Sequence, residues 1–325
     1  MKPTERVLPV LLLLLIAALG FAAMPFADWL TLSAAGLAMG MMLFLMVAGL
    51  TLIFGLMDVL NFAHGAFITF GAFAAGTVFA KLPQLVASDR LGENLLVLAI
   101  AAVAAALLSG ALGFGFERVA IRRVYGAHLR QILLTTGALI VAEQLAIVIW
   151  GPDAIPVLKP AGLRGSFLVA GAVIEKYRVV AALFGFFVFV LLQMILAHTR
   201  IGIIVRAGVE NREMVEALGY RIRPLFAGVF VAGAALAGIG GAMWATYAAT
   251  VTASLGSDLT VLIFIVVIIG GLGSVGGSFL GALLVGLVTN YVGFLAPKLA
   301  LLSNILLMAS ILLWRPRGLL AAGGR

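Results

Sequence analysis

Val179-Val-Ala-Ala-Leu-Phe-Gly-Phe-Phe-Val-Phe-Val-Leu-Leu-Gln-Met-Ile-Leu-Ala197 contains no charged residue. A helix needs about 20 apolar residues to cross a hydrocarbon core of about 30 Å, and this stretch meets that length. Phe226 to Tyr247 is a second run of the same kind. Across all 325 residues, 64% are hydrophobic, 10% are charged and the mean hydropathy is +1.22, far from the balance of a soluble domain. No alternating barrel pattern is present, and lipid leaves no backbone group unpaired, so the spans are predicted to be helices. The fold class expected is an all-α integral membrane protein.

Apolar runs separated by charged breaks predict spans near 7–27, 31–54, 65–80, 94–116, 131–150, 179–197, 224–250, 258–271, 277–296 and 299–314. Ten is the upper count, because Gly55 to Gly65 and Gly270 to Gly277 read as broken or re-entrant segments. The expectation is a polytopic bundle of about 8–10 transmembrane helices, with residues 1–325 forming a single transmembrane domain. Placing the N-terminus inside assigns 1–6, 117–130, 198–223 and 315–325 to the cytoplasm, with 14 of the 21 Lys and Arg. That bias sets the predicted orientation, with both termini cytoplasmic. The first run follows Lys2 and Arg6 and ends in small residues around Ala22-Ala23, as a secretory signal would, but it exceeds the usual 7–15 apolar residues.

The net charge of +8 sits largely in these short loops, so it reads as topology and not as nucleic-acid binding. There is no cysteine, which excludes disulfides and thiolate sites. His64, His128 and His198 lack ligand spacing, so no metal site is expected. Gly273-Ser274 lies outside any Gly-x-Ser-x-Gly order. No Gly-Lys dipeptide occurs, hence no P-loop: the chain is not expected to be an enzyme or to hydrolyse ATP by itself.

Small residues recur every fourth position at Gly273, Gly277 and Gly281, at Gly36 and Gly40, and at Gly233, Ala237 and Gly241. That spacing lets helix backbones approach closely. The glycine run at 270–277 has a second reading, as a bend around a translocation path. Asp58, Asn61 and His64 would share one side of a helix at i, i+3 and i+6. Two readings stand for them: functional polar groups at membrane depth, or a hydrated Asp58 at the helix mouth with Asn61 capping the next helix. Glu143, with Gln144 beside it, falls mid-span. It is the candidate buried carboxylate facing the bundle interior, against a structural hydrogen bond to a neighbouring helix.

The charged island that follows the opening run is the other feature that stands out. Within 198–223, Asn211 can cap a short helix that Gly219 ends in the left-handed conformation. Met214 and Leu218 would line one face beside Val215, with Arg212, Glu213 and Glu216 on the rest, and Arg221, Arg223 and Pro224 would stop it at the membrane surface. A helix of about two turns is not stable alone and needs a surface to dock on. Glu210, Glu213 and Glu216 oppose an anionic bilayer and favour a protein partner.

Gly49-Leu-Thr-Leu-Ile-Phe-Gly55, Asp58-Val-Leu-Asn-Phe-Ala-His-Gly65, Arg206-Ala continuing to Ala217-Leu-Gly219-Tyr, and Gly270-Gly-Leu-Gly-Ser-Val-Gly-Gly-Ser-Phe-Leu-Gly281 together resemble LivH-type permeases. These are membrane subunits of bacterial ABC importers for branched-chain amino acids. The resemblance implies a transport subunit of the bacterial inner membrane that moves hydrophobic amino acids by ATP-driven alternating access. It implies a second, LivM-type permease, two cytoplasmic ABC ATPase subunits and a periplasmic substrate-binding protein as partners, with ATP used by those partners and no cofactor bound here. By the same resemblance, Asn211, Arg212, Glu213, Met214, Glu216, Ala217, Leu218 and Gly219 form the ATPase coupling helix, inside a cytoplasmic coupling loop at 198–223. Candidates for the substrate pathway are Asp58, Asn61, Phe62, His64, Gly65, Glu143, Gly271, Gly273 and Ser274. Two other readings remain: an ion-coupled secondary transporter using Glu143 or Asp58, and an importer permease for urea or short-chain amides.

Overall fold

The computed structural model describes residues 3–220 and 222–320; the side chains of 3–7, Glu210 and Arg212 lie outside the described set, as do Lys2 and Arg221. Ten helices carry the apolar runs: α1 (Pro3–Ala23), α2 (Phe26–Met57), α3 (His64–Lys81), α5 (Leu91–Val119), α6 (His128–Trp150), α7 (Lys176–His198), α10 (Ile222–Ala248), α11 (Leu255–Gly270), α12 (Val275–Leu295) and α13 (Ala300–Trp314). Between them lie α4 (Pro83–Ala87) and two helices in the charged island, α8 (Arg200–Glu210) and α9 (Arg212–Ala217). Among the described residues, seven helices are long and apolar enough to cross a membrane. The protein is a helical, multi-pass membrane protein, as its composition predicts.

Two short hairpin-like pairs were not foreseen. β2 (Ser166–Val169) pairs antiparallel with β3 (Ala172–Glu175), while β1 (Ile155–Pro156) pairs with β4 (Thr250–Val251). Both belong to one end of the bundle, here called the hairpin end. Val157 N donates to Ala249 O at 2.9 Å, Trp150 Nε1 to Thr77 Oγ1 at 3.1 Å, and Val173 N to Thr31 Oγ1 at 3.0 Å, which ties 77, 150–175, 249 and the start of α2 together. At the opposite end, the loop end, Asp58 faces His128 at 3.7 Å, and Tyr125 packs its ring against Phe226 at 5.6 Å. Leu319 N reaches Ile269 O there at 2.8 Å. The charge-based grouping of 117–130, 198–223 and 315–320 at one end therefore agrees with the contacts.

The bundle is organised around α2, whose residues are buried almost continuously from Ala35 to Ile53. Between membrane helices the hydrophobic effect gives little drive, so close backbone approach and dispersion must supply it. The glycines show how. A Cβ on Gly49 would collide with Gly233 of α10, one on Gly71 with Gly238, and one on Gly241 with the Ile68 carbonyl of α3. On the other side of α2, a Cβ on Gly40 would come within 2.8 Å of Ala282 O and one on Gly36 within 2.9 Å of Leu287 Cα, both on α12. The four-residue spacings at 36/40 and 233/237/241 are these crossings. Buried hydroxyls add hydrogen bonds between helices: Thr51 to Ser278 at 2.6 Å and Tyr177 Oη to Met243 O at 2.7 Å.

The two expected breaks are present, and they differ. The turn at 271–274 joins α11 to α12 at the loop end, where Gly271 (φ 100°) and Gly273 (φ 81°) take conformations open to glycine. A Cβ on Gly55 at the end of α2 would lie 2.7 Å from Gly273 Cα, and one on Gly271 2.8 Å from Leu320 O of the C-terminal segment. The break at 58–63 instead runs back into the bundle. His64, which opens α3, bonds Met46 O at 2.7 Å, and Met46 precedes the end of α2 by three helical turns, about 16 Å at 1.5 Å per residue. α3 and α11, with 18 and 16 residues, thus begin inside the bundle, where Thr69 Oγ1 accepts from Gly256 N at 2.9 Å.

Candidate functional site

The charged island folds as a two-helix unit hung between α7 and α10. Thr199 caps α8, its hydroxyl accepting from Gly202 N at 3.0 Å. Asn211 both ends α8 and caps α9, its Oδ1 accepting from Met214 N at 2.9 Å, as its position predicts. Gly219 closes the unit at φ 86°. Val215 is 4% exposed and anchors α9 on the rest of the chain, whereas Met214 is 57% and Leu218 69% exposed. Only Met214 and Leu218 therefore make the outward apolar face; the expectation that Val215 joins them is corrected by its burial. Glu213, Glu216 and Ala217 are exposed around that face. The six-residue α9 and its C-cap Leu218 thus present two large exposed apolar side chains flanked by acids.

α8 was not anticipated as a helix. Ile201 and Ile203 are exposed, Gly202 and Gly208 face inward, and a Cβ on Gly208 would sit 2.6 Å from Leu56 Cδ1 near the end of α2. α8 thus rests on the foot of α2, directly before the re-entrant break.

At that break, Asp58, Asn61 and His64 do not share a helical face. α2 stops because Asp58 adopts the left-handed conformation (φ 53°), which Asp tolerates better than most residues, and 58–63 has no α-helical turn. Asp58 is solvent-exposed beside His128. Asn61 and His64 are buried at 0% and 2% exposure. Asn61 does not cap α3 with its side chain; its backbone O accepts from His64 N at 3.2 Å, and Ala63 holds the cap position. Phe62 stacks on Phe264 of α11 at 4.8 Å between ring centroids, and a Cβ on Gly65 would lie 2.7 Å from Gly256 O.

Residues 32–314 match the family described as branched-chain amino acid transport system / permease component. The chain belongs to that family. It is 27% identical over 290 residues to the high-affinity branched-chain amino acid transport system permease protein BraD of Pseudomonas aeruginosa, covering 88% of this chain and 93% of the relative. The LivH permease protein of Escherichia coli K12 is 25% identical over 292 residues, with the same coverage, and a probable LivH of Methanocaldococcus jannaschii is 24% identical over 302 residues, 86% of this chain and 88% of that one. No solved structure matches the chain.

In this permease the remaining sequence-named residues fall into two places. Gly271, Gly273 and Ser274 form the loop-end turn, where Ser274 caps α12 by accepting from Gly277 N at 3.1 Å. Glu143 stands apart from them on α6, a peripheral helix. It is only half-buried, so the expectation of a carboxylate enclosed in the bundle interior is corrected: its Oε1 accepts from the hydroxyl of Ser257 on α11, the interhelical hydrogen bond that was the alternative. Among the described residues no group of three potential metal ligands comes together.

Proposed function

We propose that this permease is the membrane subunit of an ATP-driven importer of branched-chain amino acids in a bacterial inner membrane, with the loop end in the cytoplasm. Its partners in this reading are a second LivM-type permease, two cytoplasmic ABC ATPase subunits and a periplasmic binding protein. Residues 1–325 act as one permease domain, and ATP is hydrolysed by the partners, since the chain has no P-loop. The observation that carries the reading is α9: a capped, solvent-exposed helix with Met214 and Leu218 outward and Val215 anchored, in a chain with no nucleotide motif of its own. Closure of the ATPase pair pushes α9, and α7 and α10, which flank the island, tilt in response. An apolar path suits aliphatic side chains, which need no buried polar partner.

The test is reversal of charge at Glu213 and Glu216 in proteoliposomes carrying the assembled complex. ATP hydrolysis should continue while leucine uptake falls to background. Unchanged uptake would remove α9 from the coupling path, and uptake by the purified chain alone without ATP would establish an ion-coupled carrier instead.

A further inference from the structure

Asn61 is fully buried, and among the described residues neither its Oδ1 nor its Nδ2 has a hydrogen-bond partner. His64, three residues on and 2% exposed, has an unpartnered Nδ1. Its other nitrogen fixes the tautomer: Met46 O can only accept, so Nε2 carries the hydrogen and Nδ1 of the neutral ring is a bare acceptor. The re-entrant segment therefore holds two acceptor atoms and one donor group out of water with no partner among the described residues. Buried polar groups are almost always paired, so such a cluster needs a visitor or a function. Phe62, between the two in sequence, stacks on Phe264 of α11, the His64 ring meets Phe67 edge-on at 6.1 Å, and His64 itself opens α3.

We infer that Asn61 and His64 form a transient station for the charged end of an α-amino acid, a deepening of the importer reading on which it rests. Asn61 Oδ1 and His64 Nδ1 accept two of the three ammonium hydrogens, and Asn61 Nδ2 donates to the carboxylate. The aliphatic side chain lies against Phe62 and Phe264. The site is closed in this conformation and opens when α11 moves away from α3. Incomplete pairing in the closed state makes release favourable, as a waypoint requires.

Two variants in the assembled complex, assayed with radiolabelled L-leucine in proteoliposomes, test this. Asn61→Leu keeps the shape and removes the polar atoms. His64→Gln keeps an amide nitrogen for Met46 O and removes Nδ1. Both should assemble and lower initial uptake at least tenfold, and Asn61→Leu should melt at a higher temperature than the wild type because an unpaired amide has gone. A merely structural pair would move stability and uptake down together. Wild-type uptake in either variant overturns the station and leaves water as the occupant; failure of Asn61→Leu to assemble overturns it too, since the amide would then be structural. If the wild-type complex itself shows no ATP-dependent uptake, the importer reading has failed, which is a separate result.

Discussion

A methyl group added to Gly241 would run into the carbonyl of Ile68, because α3 and α10 cross with their backbones in contact. Backbone cannot move aside as a flexible side chain can, so Gly241→Ala should destabilise the detergent-solubilised chain by about 1–3 kcal/mol. Gly92, in the first turn of α5, has nothing within 4 Å of the same position. Gly92→Ala should be neutral or stabilising by up to about 1 kcal/mol, from helix propensity alone. Thermal unfolding of the two variants side by side checks the contrast. The sequence made the 233/237/241 spacing legible as a packing edge, but a spacing of small residues does not say which helix will meet it. Asn61 and His64 were legible as unusual polar groups, while their geometry was not. Their i, i+3 spacing fits a helix, and the left-handed turn that prevents one occurs at Asp58, where no glycine signals it.

α9 was readable as an element because its signals are local: Asn211 before it, Gly219 after it, acids in its first turns. Asn211→Ala removes the bond to Met214 N and should cost about 1 kcal/mol of local stability. Hydrogen exchange at the amides of 212–217 would then rise about fivefold, with exchange in α2 and α12 unaltered. Met214 and Leu218 contribute little to the chain's own fold, since both are more than half exposed. Replacing both with Ala should leave the melting temperature unchanged and, under the proposed importer reading, weaken capture of an ATPase subunit at least tenfold, in keeping with buried apolar anchors at an interface centre. α8 escaped sequence reading because Gly202 and Gly208 lower helix propensity, although Ile201, Ile204, Val205 and Gly208 fall at the helical i, i+3, i+4, i+7 spacing. What holds it as a helix is tertiary, the seat of Gly208 on Leu56.

For the whole molecule, composition decided the class and the loop charges grouped the ends. Span number was harder, because α3 and α11 begin inside the bundle, a depth that hydropathy along a chain does not record. The absence of cysteine makes sidedness directly measurable. In intact cells, Ala217→Cys should resist an impermeant maleimide until the membrane is opened, and Leu168→Cys, at the tip of the β2–β3 pair, should react at once. The reverse pattern would invert the orientation.

The pairing of Ile155 with Val251, and of Val157 N with Ala249 O, fastens the end of α10 farthest from α9. α10 has 27 residues and is therefore about 40 Å long, pinned at one tip and, in the proposed importer, driven at the other. Under the proposed coupling it works as a lever with its fulcrum at the hairpin end. Between its middle and the pinned tip, Gly233, Gly238 and Gly241 bear on α2, α5 and α3, where a swing is smaller than at the free tip. Those glycines are the bearing surfaces. Around them Ile53, Ser109 and Met46 fit against the bare backbone, and Phe226 and Phe230 lock into the aromatic cluster nearer α9, so the shaft can tilt only with its neighbours.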